Sequence, residues 1–317
     1  MLSDKTANVA RGKWRGILMS LGLPEEFLKN KHGPCPLCNS DKNFRFDDKE
    51  GRGTWICTCG SGDGINLAME FTGRPFYEIA SEIDSMVGNV KYDAPNEQSG
   101  MTAEQKRNAL RATYKATQPL QSGDLVDRYL TARGVGEVTY PDSLRFAPSI
   151  RDGDGGIRPA MVAMIVDRTG KPVSMHRTFL RPDGRAKAEM ECPRKIMPGE
   201  LPEGSCVRLS EYVSGGALGI AEGIETAMSA SAMYGLPVWS AINTALLKKW
   251  LPPEGCKQIA IFADNDPKYG GQAAAFLLAH RLAVRDYEVS VHVPDTAGID
   301  WNDLHLSQVR LSVVNNG

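Results

Sequence analysis

The last third of this 317-residue chain is built on a rhythm that few folds satisfy. From Ala217 onward, apolar runs at 217–221, 237–241, 259–263 and 289–293 alternate with helix-like stretches at 225–234, 244–250 and 271–284. Strand and helix alternating at these lengths predict βαβ units and a largely parallel sheet. Acidic residues stand just past these runs: Glu222-Gly223 after the first, Asp264-Asn265-Asp266 after the third, and Asp300-Trp301-Asn302-Asp303 beyond the fourth. Ligands of open α/β sheets bind outside the carboxyl ends of the strands, so acids placed there predict a divalent-metal site for phosphoryl transfer. Mg²⁺ takes oxygen ligands and keeps several waters, so one or two carboxylates plus substrate phosphates complete its shell. A lone D-x-D is common in turns for its local hydrogen bonds. Three acidic clusters after separate strands of one unit are a stronger signal.

A second constraint lies near the start. Cys35-Pro36-Leu37-Cys38 is a C-x2-C knuckle, and Cys57-Thr58-Cys59 follows after residues 39–56. That loop length suits a four-cysteine zinc ribbon, in which Zn²⁺ is held tetrahedrally by thiolates. The second pair has one intervening residue where two are usual, which makes His32 a reserve ligand. Between the knuckles lie Lys42, Phe44, Arg45, Phe46, Arg52 and Trp55. Rings interleaved with bases suit single-stranded nucleic acid, whose bases stack while its phosphates meet cations. A ribbon this small also needs aromatic residues to pack around its metal. For any single ring packing is the expectation; for the exposed face as a whole, with Lys42, Arg45, Arg52 and Trp55 as contacts, it is single-stranded DNA. Cys192, Cys206 and Cys256 are isolated and read as ordinary buried or half-buried thiols.

The length predicts about two globular domains, since single cores stop growing near ~250 residues. Residues 1–87 read as a ribbon domain with flanking helices, with Trp14, Ile17, Leu18 and Leu21 at helical spacing before a break at Gly22-Leu23-Pro24. Helices are expected at 65–72 and 76–86. Residues 88–100 read as a linker. Thr102 with Gln105 resembles a capping box opening a helix to about 117. An α+β segment follows to 210, with strands at 160–167 and 173–180, and residues 211–317 form the α/β unit and tail. The net charge of −1 conceals a local excess: 151–195 holds ten Lys and Arg against six Asp and Glu. Such a surface can bind polyanions. No apolar stretch approaches the ~18 residues of a membrane span, and the start lacks the apolar core of a secretory signal. The expectation is a cytoplasmic protein with no membrane partner.

Gly219-Ile220-Ala221-Glu222-Gly223-Ile224-Glu225-Thr226-Ala227-Met228, then Ile261-Phe262-Ala263-Asp264-Asn265-Asp266, then Asp300-Trp301-Asn302-Asp303-Leu304, resemble a Toprim domain, the metal-binding fold of bacterial-type primases, type IA and II topoisomerases and some nucleases. The run from His32 to Cys38 with the run from Cys57 to Gly64 is similar to the zinc ribbon of phage and mobile-element primases. Ribbon first and Toprim last make the resemblance to primases specific. Residues 158–167, His176-Arg177, Lys187 and Lys195 resemble the basic half of the primase core. The resemblance implies a fold of N-terminal zinc ribbon, α+β basic subdomain and C-terminal Toprim α/β domain. It places Glu222 near the reacting 3′-hydroxyl as general base or metal-shell acid, and Asp264, Asp266 and Asp300 on Mg²⁺ or Mn²⁺. It puts Arg158, Arg177, Lys187 and Lys195 on template or nucleotide phosphates. Where the family's second D-x-D has its second acid this chain has Asn302, which leaves a second metal dependent on Asp303 or Glu225.

The function so implied is a DNA primase, a DNA-directed RNA polymerase joining ribonucleoside triphosphates de novo on single-stranded DNA. The expected cofactors are structural Zn²⁺ and catalytic Mg²⁺ or Mn²⁺, and the expected setting is a bacterial cell, with a phage or mobile element as the source. A Toprim nuclease uses the same acids. A zinc-containing single-strand-binding or replication-loading protein with an inactive Toprim fold is the non-enzymatic alternative. Topoisomerase chemistry is disfavoured by length. No G-x-x-x-x-G-K-[ST] run occurs, so a replicative helicase is expected as a separate partner.

Overall fold

The computed structural model describes residues 2–87, 101–137 and 139–315; the expected linker at 88–100 lies outside them. The chain divides into two compact units, Met1–Gly100 and Met101–Gly317.

The first unit contains helices α1 (Leu2–Ala10) and α2 (Trp14–Ser20), a three-stranded antiparallel meander of β1 (Arg45–Phe46), β2 (Trp55–Cys57) and β3 (Gly60–Gly62), and helices α3 (Gly64–Thr72) and α4 (Phe76–Met86). The helical segment expected before Gly22 is two helices, because Gly12 turns the chain at φ +73°. Asp63 caps α3, accepting from the Asn66 N–H at 2.9 Å, and Gly73 ends it in the left-handed region. With strands of two or three residues, the core is supplied by the helices: Trp14, Ile17, Leu18, Leu67, Ile79 and Ile83 close over Phe44, Phe46 and Trp55.

The second unit opens with α5 (Ala103–Lys115), which carries the expected capping box between Thr102 and Gln105. A five-stranded antiparallel sheet follows in the order β4 (Gln118–Pro119), β5 (Leu144–Arg151), β6 (Ile157–Val166), β7 (Pro172–Phe179) and β8 (Arg194–Ile196), with α6 (Leu125–Ala132) between β4 and β5. Strand β6 reads as a continuous apolar run because both its faces are covered. Ala160 and Val162 join Phe179 and Met175 in a small core that Leu110 of α5 packs against. Met161, Ala163 and Ile165 point the other way, into a core shared with the rest of the unit.

Chain order then gives β9 (Ala217–Ala221), α7 (Ile224–Tyr234), β10 (Val238–Ser240), α8 (Thr244–Lys249), β11 (Gln258–Phe262), α9 (Gly270–Ala283), β12 (Glu288–His292) and α10 (Trp301–Asn315). The four strands are all parallel, in the order β10-β9-β11-β12. Ala221 pairs with Ser240 and with Phe262, and Phe262 pairs with His292, so the four carboxyl ends are level. The order reverses direction between β9 and β11, the point where such sheets leave a crevice. No described helix is long and apolar enough to cross a membrane.

Helix α6 braces the helices that follow the acidic loops. Its Tyr129 hydroxyl donates to Glu225 in the first turn of α7. The Arg133 carbonyl accepts from Asn302 Nδ2 of α10 at 2.7 Å, and the Gly134 carbonyl lies 2.9 Å from His305 Nε2. Gly134 has φ +72°, and a Cβ there would stand 2.9 Å from Leu306; both turn and close approach require glycine.

Asn302 is wholly buried and also donates to Ser229 Oγ of α7 at 2.8 Å. Its amide is thus a donor in the core, outside the recess that the acids line. Asp at this position offers acceptors only, one of them facing a carbonyl. Asn302→Asp is therefore expected to cost about 3 kcal/mol at pH 7, the cost of a buried, unpartnered polar group. Part of that should return as the pH falls and the carboxyl protonates. Denaturant unfolding of the variant at two pH values measures both effects, and Mn²⁺ titration is expected to show no added site.

Candidate functional site

The ribbon cysteines converge. The Sγ atoms of Cys35, Cys38, Cys57 and Cys59 all lie within 4.8 Å of one another, with Cys35 to Cys59 at 3.7 Å and Cys38 to Cys57 at 3.9 Å. Four thiolates about 2.3 Å from a tetrahedral zinc stand ~3.8 Å apart, so the cluster fits Zn²⁺. The short Cys57-Thr58-Cys59 knuckle works because Cys57 ends β2 and Cys59 stands just before β3, putting both thiols at one end of the hairpin. His32 is exposed and outside the cluster. The Leu37 N–H donates to Cys35 Sγ at 3.4 Å, and Ser40 Oγ lies 3.6 Å from Cys57 Sγ; such contacts orient the ligands. Trp55 is buried and stacks on Phe44 with ring centroids 5.8 Å apart. It packs the ribbon and offers no free face, contrary to the DNA contact expected of it. Lys42 and Arg52 are exposed, Arg52 beside Glu50 at 3.5 Å, and Arg45 is half-buried and paired with Asp47 at 3.3 Å.

In the second unit Glu222 follows β9 directly, and Asp264 and Asp266 lie just past β11. Asp300 arrives from the loop after β12 because Asn265 binds that loop: its N–H donates to the Ile299 carbonyl at 3.3 Å, its carbonyl accepts from the Gly298 N–H at 2.6 Å, and its Nδ2 donates to the Pro294 carbonyl at 2.7 Å. Gln272 Nε2 donates to Asn265 Oδ1 at 2.7 Å. Asn265 is thus the tie between the two acidic loops, a role hidden while it is read as the middle of D-x-D. The indole of Trp301, beside Asp300, donates to the Ala263 carbonyl at 3.1 Å. Asp264, Asp266, Asp300 and Asp303 line one pocket of about 160 Å³. Asp266 Oδ2 accepts from the Gly271 N–H and Asp300 Oδ1 from the Asp303 N–H, each at 2.7 Å, leaving each carboxylate a second oxygen. A Cβ on Gly271 would stand 2.9 Å from the Asp264 carbonyl, which is why α9 can begin so close to the acids.

The electrostatics fit a cation. Burial pushes Glu222 up to about 7, with Asp266 raising it further while Arg194 and Lys248 oppose. Burial also pushes Asp264 up to about 7, reinforced by Glu222, Asp300 and Asp266. Oxygen donors repelling one another in a half-buried recess suit a hard dication such as Mg²⁺ or Mn²⁺.

The expected bases fall elsewhere. Arg158 bonds Asp152 at 3.0 Å, Lys195 bonds Asp154 at 2.7 Å, and Arg177 donates to the Arg151 carbonyl at 2.9 Å. These three gather around the β5–β6 hairpin, each engaged with an acceptor there. Lys187 is paired at 3.0 Å with Glu225, which is buried. Burial alone would raise Glu225, but Lys187 and the Tyr129 hydroxyl outweigh it and hold the carboxylate at about 2. Glu225 is therefore committed to internal partners, contrary to its expected place among the metal ligands. His176 is buried and pushed down to about 4 by that burial, hence neutral. Arg194 of β8 and Lys248 of α8 favour the ionised form of Glu222. Strand alternation decides between neighbours here: Arg194 pairs with Thr178, and Lys195 pairs with Arg177, whose guanidinium lies over Phe179 of the opposite core.

Three family models match the chain: a zinc-binding domain of primase-helicase over residues 30–65, a domain of unknown function over 104–209, and a Toprim domain over 217–310. Among solved structures the chain is similar to the zinc-binding and RNA polymerase domains of Aquifex aeolicus primase, at 15% identity over 98% of this chain and 84% of that one, with a TM-score of 0.44. The primase fragment of the bacteriophage T7 primase-helicase matches at 15% identity over 90% and 98%, TM-score 0.41. The E. coli primase catalytic core matches at 15% over 50% and 53%, TM-score 0.35. The chain combines a primase-type zinc ribbon and a Toprim domain, with a mixed α/β segment between them in sequence.

Two outcomes follow from this geometry. Elemental analysis of purified protein is expected to find one zinc per chain, lost in Cys38→Ser together with thermal stability and kept in His32→Ala. The second concerns protons. Glu222 and Asp264 stand at about 7 against roughly 4 in an unfolded chain. Their contribution to metal-free stability is therefore full below about pH 4 and lost as the pH rises through about 7. A dication competes with those protons, so Mn²⁺ affinity should rise about tenfold from pH 6 to pH 8 for each proton displaced. Titration of Asp264→Asn should show a weaker dependence.

Proposed function

We propose that this chain is a DNA primase, synthesising short RNA primers de novo on single-stranded DNA by metal-dependent nucleotidyl transfer. The observation that carries the reading is the convergence of Glu222, Asp264, Asp266 and Asp300 at the carboxyl end of a Toprim sheet, in one chain with a primase-type zinc ribbon. Asp264, Asp266 and Asp300 would hold Mg²⁺ or Mn²⁺, with Glu222 in the ion's shell and Asp303 at the rim. When bound, the ion lowers the charge cost of activating the attacking 3′-hydroxyl and of releasing pyrophosphate. Glu222, standing near 7, is suited to accept a proton at working pH, because a general base is most effective when its pKa lies close to the operating pH. Arg194 and Lys248 stabilise its ionised form and offer cations to a triphosphate approaching the acids. Lys42 and Arg52 on the ribbon, and the Arg158, Arg177 and Lys195 cluster, are candidate contacts to the template backbone. The substrates are then ribonucleoside triphosphates and a single-stranded template, and the partner that exposes such a template is a replicative helicase.

The test is primer synthesis on mixed-sequence single-stranded DNA with labelled ribonucleotides and Mg²⁺ or Mn²⁺, beside an Asp264→Ala/Asp266→Ala control. Short metal-dependent products that vanish in the control are expected. Shortened template would establish the nuclease, and zinc-replete protein that binds DNA without making product would establish the loading or binding protein.

A further inference from the structure

Lys187 sits between β7 and β8, where its backbone bridges Leu180, and its ammonium reaches across to α7. A lysine that binds phosphate needs its charge facing the solvent from which the anion arrives; this one is spent on Glu225, whose side chain is 9% exposed. Glu225 also accepts from the Tyr129 hydroxyl of α6, so one carboxylate ties the antiparallel layer and α6 to the first turn of α7. A buried ion pair returns little net stability over an apolar pair of the same shape, which turns attention to geometry. Glu222 stands three residues before Glu225, joined to it through Gly223, the N-cap residue of α7, which has no side chain to cap the helix. On the other side the Glu222 carbonyl accepts from Ser240 Oγ at 2.8 Å. The segment bearing Glu222 is therefore clamped at two points, by Ser240 of β10 at its own carbonyl and by the Glu225 contact three residues on.

We propose that Lys187 and Tyr129, acting through Glu225, are positioning residues that set Glu222 against the other acids, and that Lys187 is not a phosphate contact. The inference rests on the reading of those acids as a divalent-metal site. Removal of either partner lets the first turn of α7 shift, and the carboxylate of Glu222 moves with it. A supporting contact of this kind is worth roughly tenfold or more in metal affinity.

The test uses the zinc-replete full chain, with Mn²⁺ binding read from the electron paramagnetic resonance of the free ion and Asp264→Ala as the blank. Tyr129→Phe and Lys187→Met are each expected to weaken Mn²⁺ binding roughly tenfold. The double variant should lose no more than the worse single one, because both act through one carboxylate. Lys187→Arg should restore most of the affinity. Binding of an oligo-dT strand, and its salt dependence, should be unchanged throughout. Tyr129→Phe removes one oxygen and carries the test if Lys187→Met fails to fold. Wild-type Mn²⁺ affinity in Tyr129→Phe overturns the proposal. So does a Lys187→Met variant that binds metal normally but binds oligo-dT more weakly, with a salt slope reduced by about 0.7. If wild-type protein shows no Asp264-dependent Mn²⁺ binding, the metal reading itself falls.

Discussion

Carboxylates that converge repel one another, and the second unit is organised to resist that repulsion. Glu222, Asp264, Asp266 and Asp300 come from three loops that would spread if held by their own strands alone. Each loop is tied from outside the acidic recess: Glu222 through Ser240 and Glu225, Asp264 through the Trp301 indole on the Ala263 carbonyl, and Asp300 through Asn265 and Asn302. Two of these ties, those of Glu225 and Asn302, end on α6 or the turn after it. That eight-residue helix is thus worth more than its length, because it meets the first turns of both α7 and α10, the helices that leave the acidic loops.

The level carboxyl ends of the parallel strands do the rest. With Ala221, Ser240, Phe262 and His292 in register, the next residues of β9 and β11 emerge side by side at the reversal of strand order. One continuous core, from Val126 and Tyr129 of α6 through Ile165 of β6 to Phe262 of β11, leaves no apolar boundary between the antiparallel layer and the parallel one. The strands that carry the cations of the antiparallel layer therefore share one core with the strands that carry the acids.

The parts that could be read from sequence are those with a local period or a fixed spacing. The βαβ rhythm, the four cysteines, the Thr102 capping box and the acids after strands are of this kind. What could not be read depends on which way a strand faces. Arg194 and Lys195 are adjacent and chemically alike, and only the pairing of β8 with β7 decides that Arg194 looks towards Glu222. Lys187 and Glu225 lie 38 positions apart and each invites a functional reading alone; together they neutralise one another. Strand β5 and helix α6 went unread because β5 mixes buried and exposed positions without clean alternation, and α6 is too short to show its period. Trp55 illustrates the opposite error. A ring among bases suggests stacking on DNA, but a ribbon with strands of two or three residues has little else to bury.

The charge balance of the recess bears on how many ions it can hold. Glu225 is neutralised internally, and Asn302 is a core donor in place of a ligand. Four convergent carboxylates with Asp303 at the rim remain, opposed by Arg194 and Lys248. Two of the four stand near 7, so at neutral pH without a cation the recess keeps part of its charge balanced by protons. One dication can displace those protons and be matched by what they leave behind. A second would share those same carboxylates, and on the proposed reading its shell would be completed by the phosphates of a nucleotide, which is how Mg²⁺ commonly enters such sites. On the proposed reading, one ion would be held by the protein's acids and a second would arrive with the substrate.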